Sequence, residues 1–227
     1  MYLQDLRAFE ADTSNAIPGF KVCWKNTSRL QRALGWLVKP FNPDYLTRYT
    51  TTLHPNVWFP SREFYDKDPT QSFLVLAHER VHLSDTLKRS VWFRVSYLLP
   101  QVLAIPALVL TLALIPVVGW KALGLLGLVA LCLAPWGSPW RTHWEQRGYA
   151  MTLACAYWIK GEFSQATKDS VRRQFLGWSY YRMAWRSSSI DAWFVQVEKD
   201  IRSGDILKED VYNQVHEFLK NRGMARK

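Results

Sequence analysis

The chain has 227 residues, a formal net charge of +10 and 48% hydrophobic residues. Its length suits one substantial domain, or one domain with an appendage. Three scattered cysteines, Cys23, Cys132 and Cys155, never form a CxxC pair, which argues against a disulfide scaffold and against a thiolate metal site. The N-terminus lacks the basic-then-apolar order of a signal peptide, so we expect the main body to stay on the side of synthesis.

Two elements are predicted ahead of the main motif. Residues 27–38 carry apolar side chains at helical spacing and predict a helix that packs against the core. Its apolar positions are Leu30, Ala33, Leu34 and Leu37. Residues 45–60 are rich in Thr, Tyr, Val and Trp around a Pro-Asn pair, which predicts a β-hairpin.

The most informative feature of the chain is the motif His-Glu-Arg-Val-His at residues 78–82. Asp68 starts a predicted helix of roughly eighteen residues that carries this motif. On a helix, His78 and His82 lie one turn apart on one face and can bind the same metal ion. Glu79 lies beside them, where it can act as a general base. The spacing therefore predicts a zinc hydrolase.

A catalytic zinc ion takes three protein ligands and keeps a fourth position open, so one ligand is still missing. Glu145 is the best candidate, because it lies near the start of a helix predicted over residues 139–158. His143 and Asp85 remain alternatives, and we favour Asp85 as a partner that fixes the tautomer of a ligand histidine. The small residue Gly148 would let this second helix approach the motif helix closely.

If these residues bind zinc, the chemistry follows from their types. Zinc lowers the pKa of a bound water to about 7, and Glu79 takes the proton before the water attacks a peptide carbonyl. The oxyanion that forms needs a hydrogen-bond donor. The sequence offers four candidates and does not choose among them: Tyr149, Tyr180, Tyr181 and His216.

Residues 95–135 are the most apolar part of the chain. Their only ionisable side chains are Tyr97, Lys121 and Cys132. A predicted turn at residues 116–121 divides them into halves of about 22 and about 15 residues, of which the first can cross a bilayer about 30 Å thick. This pattern predicts a transmembrane helical hairpin, and a pair of buried core helices is the alternative. Basic residues flank both ends, so the positive-inside rule places the catalytic domain on the cytoplasmic side.

An HExxH helix followed on a later helix by Glu145 resembles the gluzincin class of zinc metallopeptidases. In that class the HExxH glutamate is the catalytic base, and a downstream glutamate completes the zinc site. An apolar hairpin between the two helices is similar to the membrane-embedded gluzincins of the HtpX and CAAX prenyl endopeptidase type. The resemblance covers residues 45–160 and implies a zincin-like core, in which a strand before the motif helix holds an extended peptide.

These elements predict a mainly α chain with a small β-hairpin or sheet, in which a zincin-like minimal core is interrupted by its membrane anchor. Residues 1–94 supply the N-terminal half of the core, and residues 95–136 supply the transmembrane hairpin. Residues 137–227 supply the C-terminal half. Within that half, residues 187–227 predict two amphipathic helices separated near Gly204.

The net charge of +10 favours an anionic partner. Basic residues outnumber acidic ones over residues 160–186, and a basic face beside a membrane anchor attracts anionic lipids with about 1 kcal/mol per residue. The bilayer and its anionic surface are therefore expected partners, together with a protein or peptide substrate. Nucleic acid is not expected, because no nucleic-acid-binding motif accompanies the aromatic residues of this region.

Two functions remain open from the sequence. The first is a membrane-anchored zinc metallopeptidase that uses Glu79 as its base. The second is a non-enzymatic membrane or virion-associated structural protein whose metal site is degenerate or purely structural. The overall make-up of the chain also resembles uncharacterised proteins encoded by bacteriophages. A change of Glu79 to glutamine that preserves metal binding but abolishes activity would separate the two functions.

Overall fold

The structure, a computed structural model, describes residues 1–39, 42–134, 138–177 and 182–225. Within these ranges the chain is mainly helical with one three-stranded sheet, which confirms the predicted fold class. The helices are α1 (Leu3–Ala16), α2 (Arg29–Val38), α3 (Arg62–Lys67), α4 (Pro69–Tyr97), α5 (Ala104–Val118), α6 (Leu126–Leu133), α7 (Pro139–Lys160), α8 (Gln165–Leu176), α9 (Ser187–Ser203) and α10 (Asp210–Asn221). The strands are β1 (Val22–Trp24), β2 (Thr51–Leu53) and β3 (Asn56–Phe59).

The sheet has the strand order β1-β3-β2, with β3 in the centre. β3 pairs with β2 in antiparallel and with β1 in parallel orientation. The predicted hairpin of residues 45–60 is present as β2 and β3, which are joined through His54 and Pro55. β1 is not predicted by the sequence, because three residues are too few to show an alternating pattern. In this sheet β2 is an edge strand.

The helix α4 begins where the sequence predicts. The Asp68 side chain accepts a hydrogen bond from the Gln71 amide at 2.9 Å, and a proline occupies the first turn. α4 continues beyond the predicted end, but Ser90 interrupts it with a φ of 32°. The ring centroids of His82 and Tyr97 are 6.0 Å apart, whereas a straight helix would separate these residues by about 22 Å. The last part of α4 therefore folds back toward the motif.

The packing of α7 on α4 brings the two halves of the chain together. Arg147 on α7 donates from Nε and Nη2 to the two carboxylate oxygens of Asp85 on α4, at 3.0 Å each. Arg147 also lies 2.8 Å from a carboxylate oxygen of Glu209, just ahead of α10. Asp85 is 1% exposed, so its charge depends on Arg147 for compensation.

The hydrophobic core lies around α4 and α7 and draws on both halves of the chain. Its largest fully buried side chains include Trp144, Tyr65, Phe9, Phe59, Phe73 and Phe175. α9 and α10, which are separated by Gly204 with a φ of 80°, confirm the two predicted C-terminal helices. α1, α3 and α8 are not predicted, because each buries too few apolar residues to give a clear helical period.

The orientation of α2 differs from the prediction. Three of its predicted core contacts are exposed: Leu30, Ala33 and Leu37. Its buried side carries Gln31, which accepts a hydrogen bond from the Tyr45 hydroxyl at 2.7 Å, and Gly35. A Cβ at Gly35 would lie 2.6 Å from Leu46 Cγ, so the absence of a side chain lets α2 pack there. The contact with residues 42–49 selects the side of α2 that carries Gln31 and Gly35 for burial.

The apolar segment contains a helical stretch, Gln101–Leu133, that is long and apolar enough to cross a membrane. It reverses direction at Gly119, whose φ is 65°, and α6 packs back against α5. Gln101 Nε2 lies 3.3 Å from the carbonyl oxygen of Ala134, so the two ends meet. From Gln101 to the end of α5 the rise is about 28 Å, close to the hydrocarbon thickness of a bilayer.

The surface of this helical hairpin is mostly exposed and apolar. Only 17% of its most apolar window is buried. Side chains such as Ile105, Val109 and Val117 are exposed on α5. Core helices of a soluble domain bury such side chains, so the alternative of two buried core helices is wrong.

Replacing Arg147 with glutamine would leave Asp85 buried without a cation. We expect the free energy of unfolding to fall by about 3 kcal/mol, because a buried charge loses its partner. Denaturant unfolding in detergent, followed by circular dichroism, measures the loss. The control is Lys88→Gln, which breaks an ion pair with Asp210 between side chains 55% and 77% exposed and should change stability little. Equal losses in both variants would contradict this role for Arg147.

Candidate metal centre

The side chains of His78, His82 and Glu145 converge between α4 and α7. The Nε2 atoms of the two histidines are 3.0 Å apart. Glu145 Oε2 lies 3.4 Å from His78 Nε2, and Glu145 Oε1 lies 3.8 Å from His82 Nε2. All three side chains are buried, and in the described part of the chain they form the one group of this kind able to share a metal ion.

The spacing of these donor atoms fits a metal ion. A tetrahedral site with metal–ligand distances of about 2.1 Å separates the ligand atoms by about 3.4 Å. The observed distances of 3.0, 3.4 and 3.8 Å bracket that value. Glu145 Oε2 is buried without a hydrogen-bond partner among the described residues, which a bound cation would supply.

The charges of the group also suit metal binding. Burial acts to raise the pKa of Glu145, but nearby His78 and His82 and the Tyr97 hydroxyl lower it to about 2. Burial lowers the pKa of His82 to about 4, so its imidazole is neutral at pH 7. For His78, burial acts to lower the pKa, but the Glu145 carboxylate outweighs burial and raises the pKa above its usual value. Glu145 is thus a carboxylate, and His82 offers a nitrogen lone pair.

Glu79 lies next to this group and faces a pocket. Its Oε2 accepts a hydrogen bond from Thr52 Oγ1 on β2 at 2.6 Å. Glu79 is partly exposed. Desolvation by the surrounding protein raises the pKa of its carboxyl group above the usual value. A raised pKa suits a general base that works near neutral pH. The sequence predicts Glu79 but not Thr52, because a threonine in a strand carries no chemical signal by itself.

Gly148 allows the close approach of the two ligand helices. A Cβ at this position would lie 2.6 Å from Nε2 and Cε1 of His78. The next residue, Tyr149, packs edge-on against His78 with ring centroids 4.6 Å apart, and it also contacts Phe175. Tyr149 therefore supports the His78 ring from the side, and it is not among the residues that line the pocket.

The alternative third ligands lie elsewhere. His143 is exposed and packs against Trp144. Both carboxylate oxygens of Asp85 bind Arg147, so the predicted contact between Asp85 and a ligand histidine is wrong. Asp85 lies about 10 Å along α4 from His78, and Nδ1 of the nearer His82 has no hydrogen-bond partner among the described residues.

The oxyanion candidates are mostly distant or outside the described structure. His216 on α10 packs against Trp158, which lies about 20 Å along α7 from Glu145, so its predicted role at the site is wrong. The predicted candidates Tyr180 and Tyr181 lie outside the described residues.

Tyr97 is a site residue that sequence reasoning missed. Its hydroxyl donates a hydrogen bond to Glu145 Oε1. Arg141 Nε donates to the Tyr97 carbonyl oxygen at 3.2 Å and lines the same pocket. Tyr97 reaches the site only because α4 folds back after Ser90, and no local pattern predicts that reversal.

The pocket in front of the site has a volume of about 720 Å³. One wall is β2, residues Thr51–Leu53, and another contains Glu79, His82 and Glu145. Further lining residues come from the base of the apolar hairpin: Leu98, Gln101 and Leu133. The pocket therefore connects the metal-ligand group with the edge strand β2 and with the hairpin.

The basic residues of segment 160–186 do not form one face beside the hairpin. Lys160 ends α7, about 30 Å along that helix from the base of the hairpin. Lys168 pairs with Glu198, and Arg172 pairs with Asp191. Part of the positive charge in this segment is therefore compensated within the protein.

Comparisons of the chain with protein-family models, with curated proteins and with solved structures give no match. The function must therefore be inferred from the geometry and charges of the site.

Replacing Gly148 with alanine would force the His78 ring away from its position. We expect metal affinity to fall by about tenfold or more, as for other changes that misplace a metal ligand. Competition with a chromophoric chelator measures the affinity of the purified chain. Gly127→Ala in α6 is the matched control, because a Cβ there meets nothing within 4 Å. Equal affinities in the two variants would contradict the proposed contact.

Proposed function

We propose that this protein is a zinc-dependent metallopeptidase anchored in a membrane by its apolar helical hairpin. The observation that carries the proposal is the buried group of His78, His82 and Glu145, of which His82 and Glu145 line a pocket together with Glu79. Two imidazoles and one carboxylate at these spacings are typical of catalytic zinc sites. When bound, zinc would supply a Lewis acid that polarises a carbonyl and acidifies a water.

Glu79 is the proposed general base. It lines the pocket next to His82 and Glu145, so it can take a proton from a water that attacks a bound peptide carbonyl. Thr52 holds one of its carboxylate oxygens through a hydrogen bond of 2.6 Å and so limits its orientation. After attack, Glu79 can deliver the proton to the leaving amine.

Tyr97 and Gly148 are proposed positioning residues. The Tyr97 hydroxyl binds Glu145 Oε1 and leaves Oε2 directed at His78. Gly148 removes the steric barrier between α7 and His78. Both residues contact the ligand side chains.

The edge strand β2 is suited to bind a peptide substrate. It pairs with β3 on one side, and its residues line the pocket. An extended peptide can add to an exposed strand edge through backbone hydrogen bonds, while pockets select its side chains. Such a peptide would run past Glu79, because Thr52 connects β2 directly to this carboxylate.

The length and the apolar surface of the hairpin are the evidence for a membrane location. Its rise of about 28 Å approaches the thickness of a bilayer core of about 30 Å, and its surface is apolar and exposed. Basic residues at both ends favour a cytoplasmic position for the catalytic part. The substrate is then a protein or peptide segment near the bilayer, because the hairpin base lines the pocket.

Glu79→Gln tests the proposed catalysis. We expect zinc content to remain at the wild-type level and peptide hydrolysis to fall by about 10³-fold, because the base is lost while the ligands remain. Hydrolysis of a peptide library by detergent-purified chain, followed by mass spectrometry, measures the activity. His143→Ala is the control and should retain both properties. A wild-type chain that holds zinc and cleaves no peptide would instead indicate a structural metal site.

A further inference from the structure

Helix α2 presents an apolar face to solvent. Trp36 is 78% exposed, Leu37 is 63% exposed and Leu30 is 58% exposed. With the exposed Ala33, these side chains fall within an arc of about 120° around the helix. A monomeric soluble domain has no reason to gather its apolar side chains on the exposed side of a helix.

Positive charge borders this apolar face. Arg32 and Lys39 are exposed and project on one side of the arc, and the exposed Arg29 lies within the arc at the first residue of the helix. No acidic residue occurs over residues 20–43. An apolar stripe with a basic border is the pattern of a helix that lies in the surface of an anionic bilayer.

The position of α2 fits the same partner. Val38, at the end of α2, lines the same pocket as Leu98 and Leu133 at the base of the apolar hairpin. Gln31 and Gly35, which lie on the side of α2 opposite to its exposed apolar face, hold the helix to the domain. The C-terminal end of α2 therefore lies near the base of the hairpin.

We propose that α2 is a second membrane contact, which lies in the plane of an anionic lipid surface. Trp36 and Leu37 enter the boundary between headgroups and acyl chains, while Arg32 and Lys39 face the headgroups. The inference is independent of catalysis and goes beyond anchoring by the hairpin. Two contacts fix the tilt of the domain, whereas a hairpin alone permits rotation about its axis. The pocket between them is then held at the bilayer surface.

The test uses the full chain reconstituted in vesicles. An encoded fluorescent amino acid replaces Leu37 or, as a matched control, Val195 on α9, which is 73% exposed. The vesicles contain phosphatidylcholine with or without phosphatidylserine, and brominated acyl chains act as quenchers. We expect quenching at position 37 but not at position 195, and stronger quenching with phosphatidylserine. Arg32→Gln should weaken docking about fivefold, which corresponds to about 1 kcal/mol per charge. Unchanged metal content verifies the fold of each variant.

Three results would overturn the proposal. Equal accessibility of positions 37 and 195 would show that α2 remains in water. Quenching that is independent of phosphatidylserine and of Arg32 would remove the assignment to an anionic surface. A shift of the emission at position 37 without quenching by brominated lipid would show that a protein surface, such as a second copy of the chain, covers α2.

Discussion

The close contact between α7 and α4 at Gly148 is the constraint on which the site depends. A Cβ on this residue would overlap the His78 imidazole, so only glycine permits the observed separation of the helices. Glu145 lies almost one turn earlier on α7 and therefore faces both histidines. The ion pair of Arg147 with Asp85 fixes the rotation of α7 about its own axis. One small residue and one buried ion pair thus bring together donors that lie far apart in the sequence.

Burial of so many polar groups has a cost in free energy, and the structure compensates it unevenly. Asp85 has two hydrogen bonds from a guanidinium, and Glu145 Oε1 has the Tyr97 hydroxyl. Glu145 Oε2 and His82 Nδ1 have no hydrogen-bond partner among the described residues. A metal ion at the three donors would compensate the carboxylate, so binding of the ion would also contribute to the stability of the α4–α7 pair.

Local patterns predicted the parts of the structure that local interactions determine. The Asp68 cap, the spacing of the HExxH residues, the β2–β3 hairpin and the small residue at 148 are all visible in the sequence. After the reversal at Ser90, which delivers Tyr97 to the site, α4 packs against α7 through Phe93 and Ser96, and no local sequence pattern signals this contact. The predicted orientation of α2 is wrong for a related reason, because apolar periodicity shows that a helix has two faces but not which one is buried.

X-ray absorption at the zinc edge, on chain purified in detergent, tests the central claim most directly. The proposed site predicts one zinc ion with only nitrogen and oxygen neighbours at about 2.0–2.2 Å, and with the multiple scattering of two imidazoles. The Glu145→Gln variant should lose the ion or change this spectrum. Sulfur neighbours at about 2.3 Å, a spectrum without imidazole scattering, or a wild-type chain that binds no zinc would contradict the account.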